Sequence, residues 1–317
     1  MSALRAASIL AGFAGLTLPL MPVQAALVRV APSLARRLPH WYHRRVCRLI
    51  GVRLHVVGEV ARGHPVLLIS NHSSWLDIPV LSAVAPVSFV AKKEVGTWPG
   101  VSALARLQRT VFVDRERRTA VGATANDITK RLAAGDTIVL FAEGTSSDGN
   151  RVLPFRTSLF AAAKPSLPTR RSSDEPNSTT DQLAQQGGGQ APQETISAKT
   201  VVQTIAITYT RLHGVPLTRA DRPLVGWYGD MDLPPHAWKL LQAGPIDARI
   251  VIGAPVPLEE FADRKSLARH SEDEIRNNLV RTLRGGDREQ DIVTTRPRSG
   301  PRTKPHRPAR PRSGRMV

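Results

Sequence analysis

The sequence has few cysteines, few aromatic residues and no serine-hydrolase motif. Of its 317 residues only Cys47 is a cysteine, which excludes an internal disulfide and suits a reducing compartment. Aromatic residues make up 5% of the chain, and they are not interleaved with basic residues as in RNA-binding segments. No Gly-x-Ser-x-Gly sequence occurs, which gives no support to a hydrolase built on a serine nucleophile.

Acidic residues are also scarce. The chain has 26 Asp and Glu against 44 Lys and Arg, which gives a formal net charge of +18 and a pI near 11.3. Such an excess favours an anionic partner, either nucleic acid or an anionic lipid surface. Because the RNA-binding pattern is missing, we expect membrane lipids and no specific nucleic acid. A non-catalytic basic adaptor is the alternative of another class.

The first 50 residues predict a membrane anchor. Residues 6–28 are almost continuously apolar and long enough to cross a bilayer, although Pro19 and Pro22 also allow a kinked, re-entrant segment. A cleaved signal peptide that starts at Arg5 is a third interpretation. The arginines that follow favour an anchor in the inner (cytoplasmic) membrane, with the downstream flank on the cytoplasmic side. Residues 33–50 predict a helix on the membrane surface, or one packed on the domain.

From residue 52 onward, strand-like and helix-like segments alternate, which predicts an α/β domain with a largely buried sheet. The predicted strands are residues 52–57, 65–69, 87–90, 110–113, 137–141, 201–209 and 248–252. The predicted helices are residues 78–84, 101–107, 119–134, 158–163 and 235–241. In such sheets the functional site lies where strands end and helices begin.

The loop Asn71-His72-Ser73-Ser74-Trp75-Leu76-Asp77 follows a predicted buried strand. His72 is suited to accept a proton near neutral pH, and Asp77 can hold its ring in one tautomer. Residues five apart on a continuous helix lie roughly 140° apart, so this pair meets only across a loop or an irregular first turn. The alternative is structural, with Asn or Ser as a helix cap and Asp as a turn residue. For Ser73 and Ser74 a capping role is favoured over a nucleophilic one.

Two more strands end in polar residues. Phe112-Val113-Asp114-Arg115 places a planar cation, suited to a phosphate or carboxylate, after one strand. In residues 141–147, Glu143 can pair with such a cation or hold a substrate hydroxyl, and Gly144 allows close approach to the backbone. A surface salt bridge and a simple turn are the alternatives. The His and acidic residues lack metal-ligand spacing, so no metal is expected.

In this order the blocks resemble the glycerolipid acyltransferase family, which includes bacterial 1-acyl-sn-glycerol-3-phosphate acyltransferases and lyso-ornithine lipid acyltransferases. Residues 71–77 match the family's Asn-His block with its Asp fully, and residues 112–115 match Phe-Ile-Asp-Arg with one change. Residues 141–147 match Phe-Pro-Glu-Gly-Thr-Arg-Ser with two changes. Thr204 stands where a weak fourth block usually has Pro. The resemblance covers roughly residues 50–255, apart from an insertion.

The resemblance implies a central, mostly parallel sheet preceded by an N-terminal membrane-anchoring helix. It implies a lysolipid O-acyltransferase that uses His72 as general base, oriented by Asp77. The acceptor-binding region would comprise Arg115, Glu143, Gly144 and Thr145. The leading expectation is transfer from acyl carrier protein or acyl-CoA to the free hydroxyl of 1-acyl-sn-glycerol-3-phosphate, which gives phosphatidic acid in phospholipid biosynthesis. No cofactor is expected.

One position departs from the family pattern. Ser146 replaces an Arg, so a cationic contact to a phosphate is missing unless Arg151 or Arg156 supplies it. Alternatively the acceptor carries no phosphate, as in lyso-ornithine lipid.

The expected layout has three parts. These are an anchor at residues 1–50, an acyltransferase domain at 51–283 with a disordered insertion at 166–200, and a disordered basic tail at 284–317.

Overall fold

The computed structural model describes residues 2–113, 127–160 and 200–285. The helices are α1 (Ser2–Val30), α2 (Pro32–Ile50), α3 (Asp77–Val84), α4 (Val101–Leu107), α5 (which contains residues 127–133), α6 (Leu233–Ala243) and α7 (Arg264–Leu283). The strands are β1 (Val52–Val57), β2 (Val66–Ser70), β3 (Ser88–Lys92), β4 (Val111–Val113), β5 (Thr137–Phe141), β6 (Val201–Leu212), β7 (Val215–Pro216), β8 (Ile246–Ile252) and β9 (Val256–Pro257).

The strands form one sheet with β2 near its centre. The order is β1-β8-β6-β2-β5-β3-β4, and the short strands β7 and β9 also pair with β6. Neighbours along this path are parallel except β6 and β8, which are antiparallel. The expected α/β fold with a mostly parallel sheet is confirmed.

Both faces of the sheet are covered, which explains the continuous apolar sequence of its central strands. All residues of β2 are buried, and successive side chains point to opposite faces. Leu68 packs into the core that also contains residues of α1, α2, α3 and α6. Leu67 and Ile69 pack into the other core, which contains residues of α5 and α7. Two helical layers therefore hold the carboxyl end of β2 in a fixed position.

From residue 52 onward most predicted elements are present, with their described ends shifted by up to three residues, and the start of the helix predicted at 119–134 lies outside the described residues. The exceptions have physical reasons. Helix α7 was not predicted, because charged residues obscure a stripe of buried Leu267, Ile275 and Leu279 along it. The helix predicted at 158–163 is wrong for its described part, where residues 157–160 form a turn and a short 3₁₀ segment. The insertion predicted at 166–200 and the basic tail predicted at 284–317 lie outside the described residues, apart from residues 200, 284 and 285.

Helix α1 is continuous through Pro19 and Pro22, and it is the one helix in the described ranges that is long and apolar enough to cross a membrane. It packs antiparallel to α2, and a hydrogen bond of 2.7 Å joins the Thr17 and Tyr42 hydroxyls in the middle of the pair. The helical pair therefore forms one layer against the sheet.

Polar side chains attach both ends of α1 to the rest of the molecule. Near the first end, the Arg5 guanidinium donates to the backbone carbonyls of Ile50, at 2.7 Å, and Leu241. Near the other end, the Gln24 amide nitrogen donates to the carbonyls of Ala35 and Leu107, both at 2.9 Å. Since both ends contact the same domain, α1 lies along the domain surface rather than projecting away from it.

Candidate active site

The loop between β2 and α3 brings His72 and Asp77 together. Residues 71–74 have no regular structure, a turn follows at 75–76, and α3 begins at Asp77. The His72 Nδ1 atom lies 2.8 Å from the Asp77 Oδ2 atom. The irregular connection that the five-residue spacing requires is therefore present.

The Asp77 carboxylate is fully buried and accepts four hydrogen bonds. Oδ2 accepts from the His72 ring and from the backbone N–H groups of Ser73, at 2.7 Å, and Ser74, at 3.0 Å. Oδ1 accepts from the Tyr209 hydroxyl at 2.7 Å. These donors fix the carboxylate in one orientation and compensate for its burial.

Tyr209 was missed by sequence reasoning because it lies in β6, far from the motif in the chain. Burial and the adjacent Asp77 carboxylate raise the pKa of Tyr209 well above its ordinary value. The phenol therefore stays protonated and acts as a donor to Asp77. The signal in the sequence was limited to its position in the strand predicted at residues 201–209.

The His72 ring has one tautomer, and one of its faces packs against an aromatic side chain. With Nδ1–H donated to Asp77, Nε2 carries the free lone pair. The ring stacks on Phe141 with centroids 4.1 Å apart, and 18% of the side chain is exposed. This arrangement suits a general base that accepts a proton from a group arriving at the surface.

The capping role predicted for the serines is wrong. Leu76 is the N-cap residue of α3, and no side chain caps the helix. Ser73 and Ser74 instead contribute backbone N–H groups to Asp77, and the Ser74 hydroxyl accepts weakly from the Leu76 N–H at 3.3 Å. The Asp77 carboxylate at the start of α3 thus binds the loop that precedes the helix rather than the N–H groups of the helix.

The Asn71 side chain joins the loop to β6 by two hydrogen bonds. Its amide nitrogen donates to the carbonyl of Ile207 at 3.0 Å, and its carbonyl oxygen accepts from the Ile207 N–H at 2.8 Å. The side chain is 1% exposed. The residue before His72 therefore has little freedom, which fixes where the imidazole begins.

Glu143 supports the same loop from β5. One carboxylate oxygen accepts from the His72 backbone N–H at 2.9 Å, and the other accepts from the Leu153 N–H at 3.0 Å. The side chain is buried, and burial raises the pKa of Glu143 to about 8. Both oxygens are used by backbone groups of the protein, so Glu143 contacts the chain beside His72 rather than an open cleft.

The residues after Glu143 turn back over the His72 loop. Gly144 has φ +73°, the left-handed conformation that favours glycine, and Thr145 is exposed. The Ser147 N–H donates to the carbonyl of His72 at 2.9 Å. Ser146 is half-buried. The first and third sequence blocks are thus brought together at the carboxyl ends of β2 and β5.

Three other arginines were candidates for binding an acceptor. Arg115 lies outside the described residues. Arg151 and Arg156 both have exposed side chains. Their backbones bind neighbouring loops, because the Arg151 carbonyl accepts from the Ser147 hydroxyl and the Arg156 N–H donates to the Ala142 carbonyl.

An apolar cavity of about 460 Å³ lies between the sheet and helices α1, α2, α3, α4 and α6. Its lining includes Trp75 from the His72 loop and Phe89 from β3. The Phe89 ring also stacks on Phe141, with centroids 6.0 Å apart. Phe141 therefore has the cavity wall on one side and the His72 imidazole on the other. Within residues 2–113, 127–160 and 200–285, no group of three potential metal ligands occurs.

Comparison with known proteins agrees with this geometry. Residues 52–170 match the family model described as Acyltransferase. A lyso-ornithine lipid O-acyltransferase from Brucella abortus (strain 2308) is 44% identical, over 87% of this chain and 94% of that protein. One from Rhizobium meliloti (strain 1021) is 42% identical, over 86% of this chain and 85% of that protein.

Two more distant relatives are named for a different activity. A 1-acyl-sn-glycerol-3-phosphate acyltransferase from Neisseria meningitidis serogroup B is 29% identical, over 69% of this chain and 72% of that protein. The crystal structure of the 1-acyl-sn-glycerophosphate acyltransferase PlsC from Thermotoga maritima shares the fold, with a TM-score of 0.57 and 17% identity over 89% of this chain and 98% of that one.

The ordered blocks, the mostly parallel sheet and the identities to named relatives all agree. They support lysolipid acyltransferase activity and a role in lipid biosynthesis, which sets aside the non-catalytic adaptor. The apolar α1 is consistent with membrane association. The chain belongs to the glycerolipid acyltransferase family, which includes the lyso-ornithine lipid and the 1-acyl-sn-glycerol-3-phosphate acyltransferases.

Proposed function

We propose that this enzyme transfers a fatty acyl group from an acyl thioester to the free hydroxyl of lyso-ornithine lipid, giving ornithine lipid. The observation that carries the proposal is the 44% and 42% identity to two lyso-ornithine lipid O-acyltransferases over most of their length. Ser146, which replaces an Arg of the family pattern, supports an acceptor without phosphate. Transfer to 1-acyl-sn-glycerol-3-phosphate is the second candidate, favoured by the Neisseria relative.

The chemistry rests on His72 and Asp77. His72 Nε2 takes the proton of the acceptor hydroxyl as its oxygen attacks the thioester carbonyl. The C–S bond then breaks, the ester forms, and the imidazolium returns the proton to the departing thiolate. Asp77 stabilises the imidazolium and keeps Nδ1 protonated throughout. No covalent acyl-enzyme is required, and the chemistry is the same for both candidate acceptors.

The other predicted site residues act around this pair. Glu143 positions the His72 backbone through its hydrogen bond, and Gly144 permits the turn that follows. Thr145 and Arg115 are proposed to contact the acceptor. The apolar cavity beside Phe141 has the lining that an acyl chain requires, and it lies on the membrane-facing side formed by α1 and α2.

We place the enzyme at the inner membrane with the catalytic domain on the cytoplasmic side. Helix α1 is held to the domain near both ends by Arg5 and Gln24, so it inserts along its length into one leaflet instead of crossing the bilayer. Several apolar side chains remain exposed along this layer: Leu4, Leu10, Leu18, Val23, Leu34 and Trp41. Helix α2 carries Trp41 and several arginines, such as Arg44 and Arg45, and both residue types are favoured in the lipid headgroup region of a membrane.

Thiol labelling of bacterial cells that express the chain tests this placement. Single cysteines are introduced at either end of α1, as Ser2→Cys and Val30→Cys, and are treated with a membrane-impermeant maleimide. Neither is expected to react from outside until the inner membrane is permeabilised. Labelling of one end in cells with an intact inner membrane would mean that α1 crosses the bilayer. Wild type is the background control, because Cys47 is buried.

A transfer assay with purified protein in detergent tests the proposed acceptor. Lyso-ornithine lipid and lysophosphatidic acid are offered side by side, with acyl-acyl carrier protein in one arm and acyl-CoA in the other. We expect lyso-ornithine lipid to be acylated with kcat/KM at least about 10-fold higher, a discrimination of about 1.4 kcal/mol. Exclusive acylation of lysophosphatidic acid would contradict the proposal.

The folded His72→Ala variant is the control in that assay, and it should lose at least about 100-fold in rate, because general-base catalysis contributes that much. A His72→Ala variant with normal transfer would refute the mechanism whichever lipid is used.

The raised pKa of Glu143 predicts a pH effect on stability. The unfolded carboxyl ionises near its ordinary pKa of 4.5, but the folded one ionises only near 8. The stability that neutral Glu143 contributes is therefore present below pH 4.5 and lost as pH rises from there to about 8. Glu143→Gln has no such loss, so the unfolding free energy of wild type should fall relative to this variant across that range. Thermal unfolding at several pH values measures it.

The control for this effect is Glu260→Gln, a change of the same charge at an exposed position. Its stability profile should run parallel to that of wild type. If the Glu143→Gln profile is also parallel, the carboxyl of Glu143 is not neutral in the folded enzyme.

A further inference from the structure

Two opposite charges lie close together beside the His72 loop without forming an ion pair. They belong to Asp148, in the turn after β5, and Arg222, in a short 3₁₀ segment after β7. The first loop follows the carboxyl end of β5, which is parallel to β2, and the second follows the antiparallel hairpin of β6 and β7. Neither residue belongs to the family motifs in the sequence, and neither has a part in the proton transfer.

The two loops pack directly against the residue that follows His72. Gly149 has φ +76°, and a Cβ atom built there would lie 3.8 Å from the Cβ of Ser73 and 3.9 Å from the Cβ of Arg222. The backbone N–H of Trp227 donates to the carbonyl of Ser73 at 2.8 Å. The Arg222 side chain therefore begins within a few ångströms of the catalytic loop.

Asn150 lies between the two charges and binds both. Its side-chain oxygen accepts from the Arg222 guanidinium at 2.7 Å, and its side-chain nitrogen donates to Asp148 at 3.1 Å. The Asn150 backbone N–H donates to the other Asp148 oxygen at 3.0 Å. The amide thus bridges the cation and the anion by hydrogen bonds to both.

The hydrogen-bonding capacity of both charges is only partly used. The Arg222 guanidinium has a second partner, the carbonyl of Leu217 at 3.2 Å, and both of its partners are neutral. The buried Nε atom of Arg222 has no hydrogen-bond partner within the described ranges. The neighbouring carboxylate of Asp221 is bound to the hydroxyl and N–H of Thr218, and no ion pair joins it to Arg222 in that part of the chain.

The half-buried Arg222 guanidinium is attracted by the nearby Asp148 and Asp221 carboxylates, but within the described ranges no carboxylate is bonded to it directly, so a further anion that reaches it would be stabilised. Among the described residues, Asn150 supplies the hydrogen bonds of the Asp148 carboxylate, which leaves room for a cation. A ligand that carries both charges would satisfy both groups at once.

We propose that Arg222 and Asp148 form the head-group subsite of the acceptor and select a zwitterionic amino-acid head group over a phosphate. This assignment rests on the proposed function. Arg222 binds the carboxylate of the ornithine head group, and Asp148 binds its side-chain ammonium. A phosphate monoester carries no cation for Asp148 and is repelled by that carboxylate. The subsite therefore supplies the cation that Ser146 does not.

The dimensions of the acceptor fit this placement. In an ornithine whose α-nitrogen carries a 3-hydroxyacyl chain, six bonds separate the hydroxyl oxygen from the carboxylate carbon, which is roughly 7 Å when extended. The Cβ atoms of Ser73 and Arg222 both lie within 4 Å of the same point above Gly149. A hydroxyl beside His72 and a carboxylate at Arg222 are therefore within reach of one molecule.

Steady-state kinetics of full-length enzyme in detergent test the subsite, with three acceptors: lyso-ornithine lipid, its carboxyl methyl ester, and its side-chain N-acetyl derivative. For wild type, each modified acceptor should raise KM at least about 10-fold, the loss of one charge-assisted contact. The kcat at saturation should change less than about 3-fold, because His72 and Asp77 are untouched.

Matched variants then assign each contact. Arg222→Gln should raise KM for lyso-ornithine lipid and remove the discrimination against the methyl ester only. Asp148→Asn should remove the discrimination against the N-acetyl derivative only. Arg211→Gln, which removes the same charge from an exposed position on β6, should behave as wild type. Circular dichroism confirms that the variants fold, and the modified acceptors test wild type without any substitution.

The outcomes separate this subsite from the proposed function. If wild type acylates lyso-ornithine lipid and both derivatives with equal KM, the subsite is wrong while the proposed function stands. The same conclusion follows if folded Arg222→Gln and Asp148→Asn retain the discrimination of wild type. If wild type acylates lysophosphatidic acid and not lyso-ornithine lipid, the proposed function fails and this assignment fails with it.

Discussion

The buried carboxylate of Asp77 is the interaction on which the site depends. It accepts from the imidazole, from two backbone N–H groups of the same loop and from a phenol on β6. Each donor comes from a position that the sheet and its helices fix. One carboxylate therefore shapes the loop, lies at the start of α3 and sets the His72 tautomer, so the proposed catalysis and the local folding rest on the same hydrogen bonds.

Much of this arrangement could be predicted from the sequence, because its signals are local. The apolar run of β2 and the polar loop after it indicate a strand that ends at a site, and the spacing of His72 and Asp77 requires an irregular connection. Tyr209 could not be predicted, since its contact with Asp77 depends on β6 lying beside β2. The burial of Glu143 could not be predicted either, because a Glu before Gly in a polar turn is typical of an exposed residue. Helix α7 was missed because its charges mask a narrow apolar stripe.

The choice of acceptor depends on residues further from the motif. In the proposed mechanism His72 and Asp77 act on either lipid hydroxyl, so the chemistry alone does not distinguish an amino-acid lipid from a phosphate lipid. We propose that the discrimination comes from the charges beside the loop, where Asn150 binds both Arg222 and Asp148. The apolar cavity proposed for the acyl chain is lined in part by α1 and α2, and Phe89 in its wall stacks on Phe141, which stacks on His72. The proposed membrane contact, acyl binding and head-group recognition would therefore all involve residues around one loop.

The most direct measurement of the central claim is the transfer rate of Asp77→Asn at saturating acceptor and donor. Asparagine keeps the shape of the side chain but offers an N–H group in place of one acceptor oxygen, so the His72 tautomer is no longer fixed. We predict a loss of about 10²–10⁴-fold in kcat, with the folded structure retained by circular dichroism. Asp273→Asn, at an exposed position on α7, should not change the rate. A folded Asp77→Asn enzyme with kcat within about 3-fold of wild type, a difference of under 1 kcal/mol, would contradict the account.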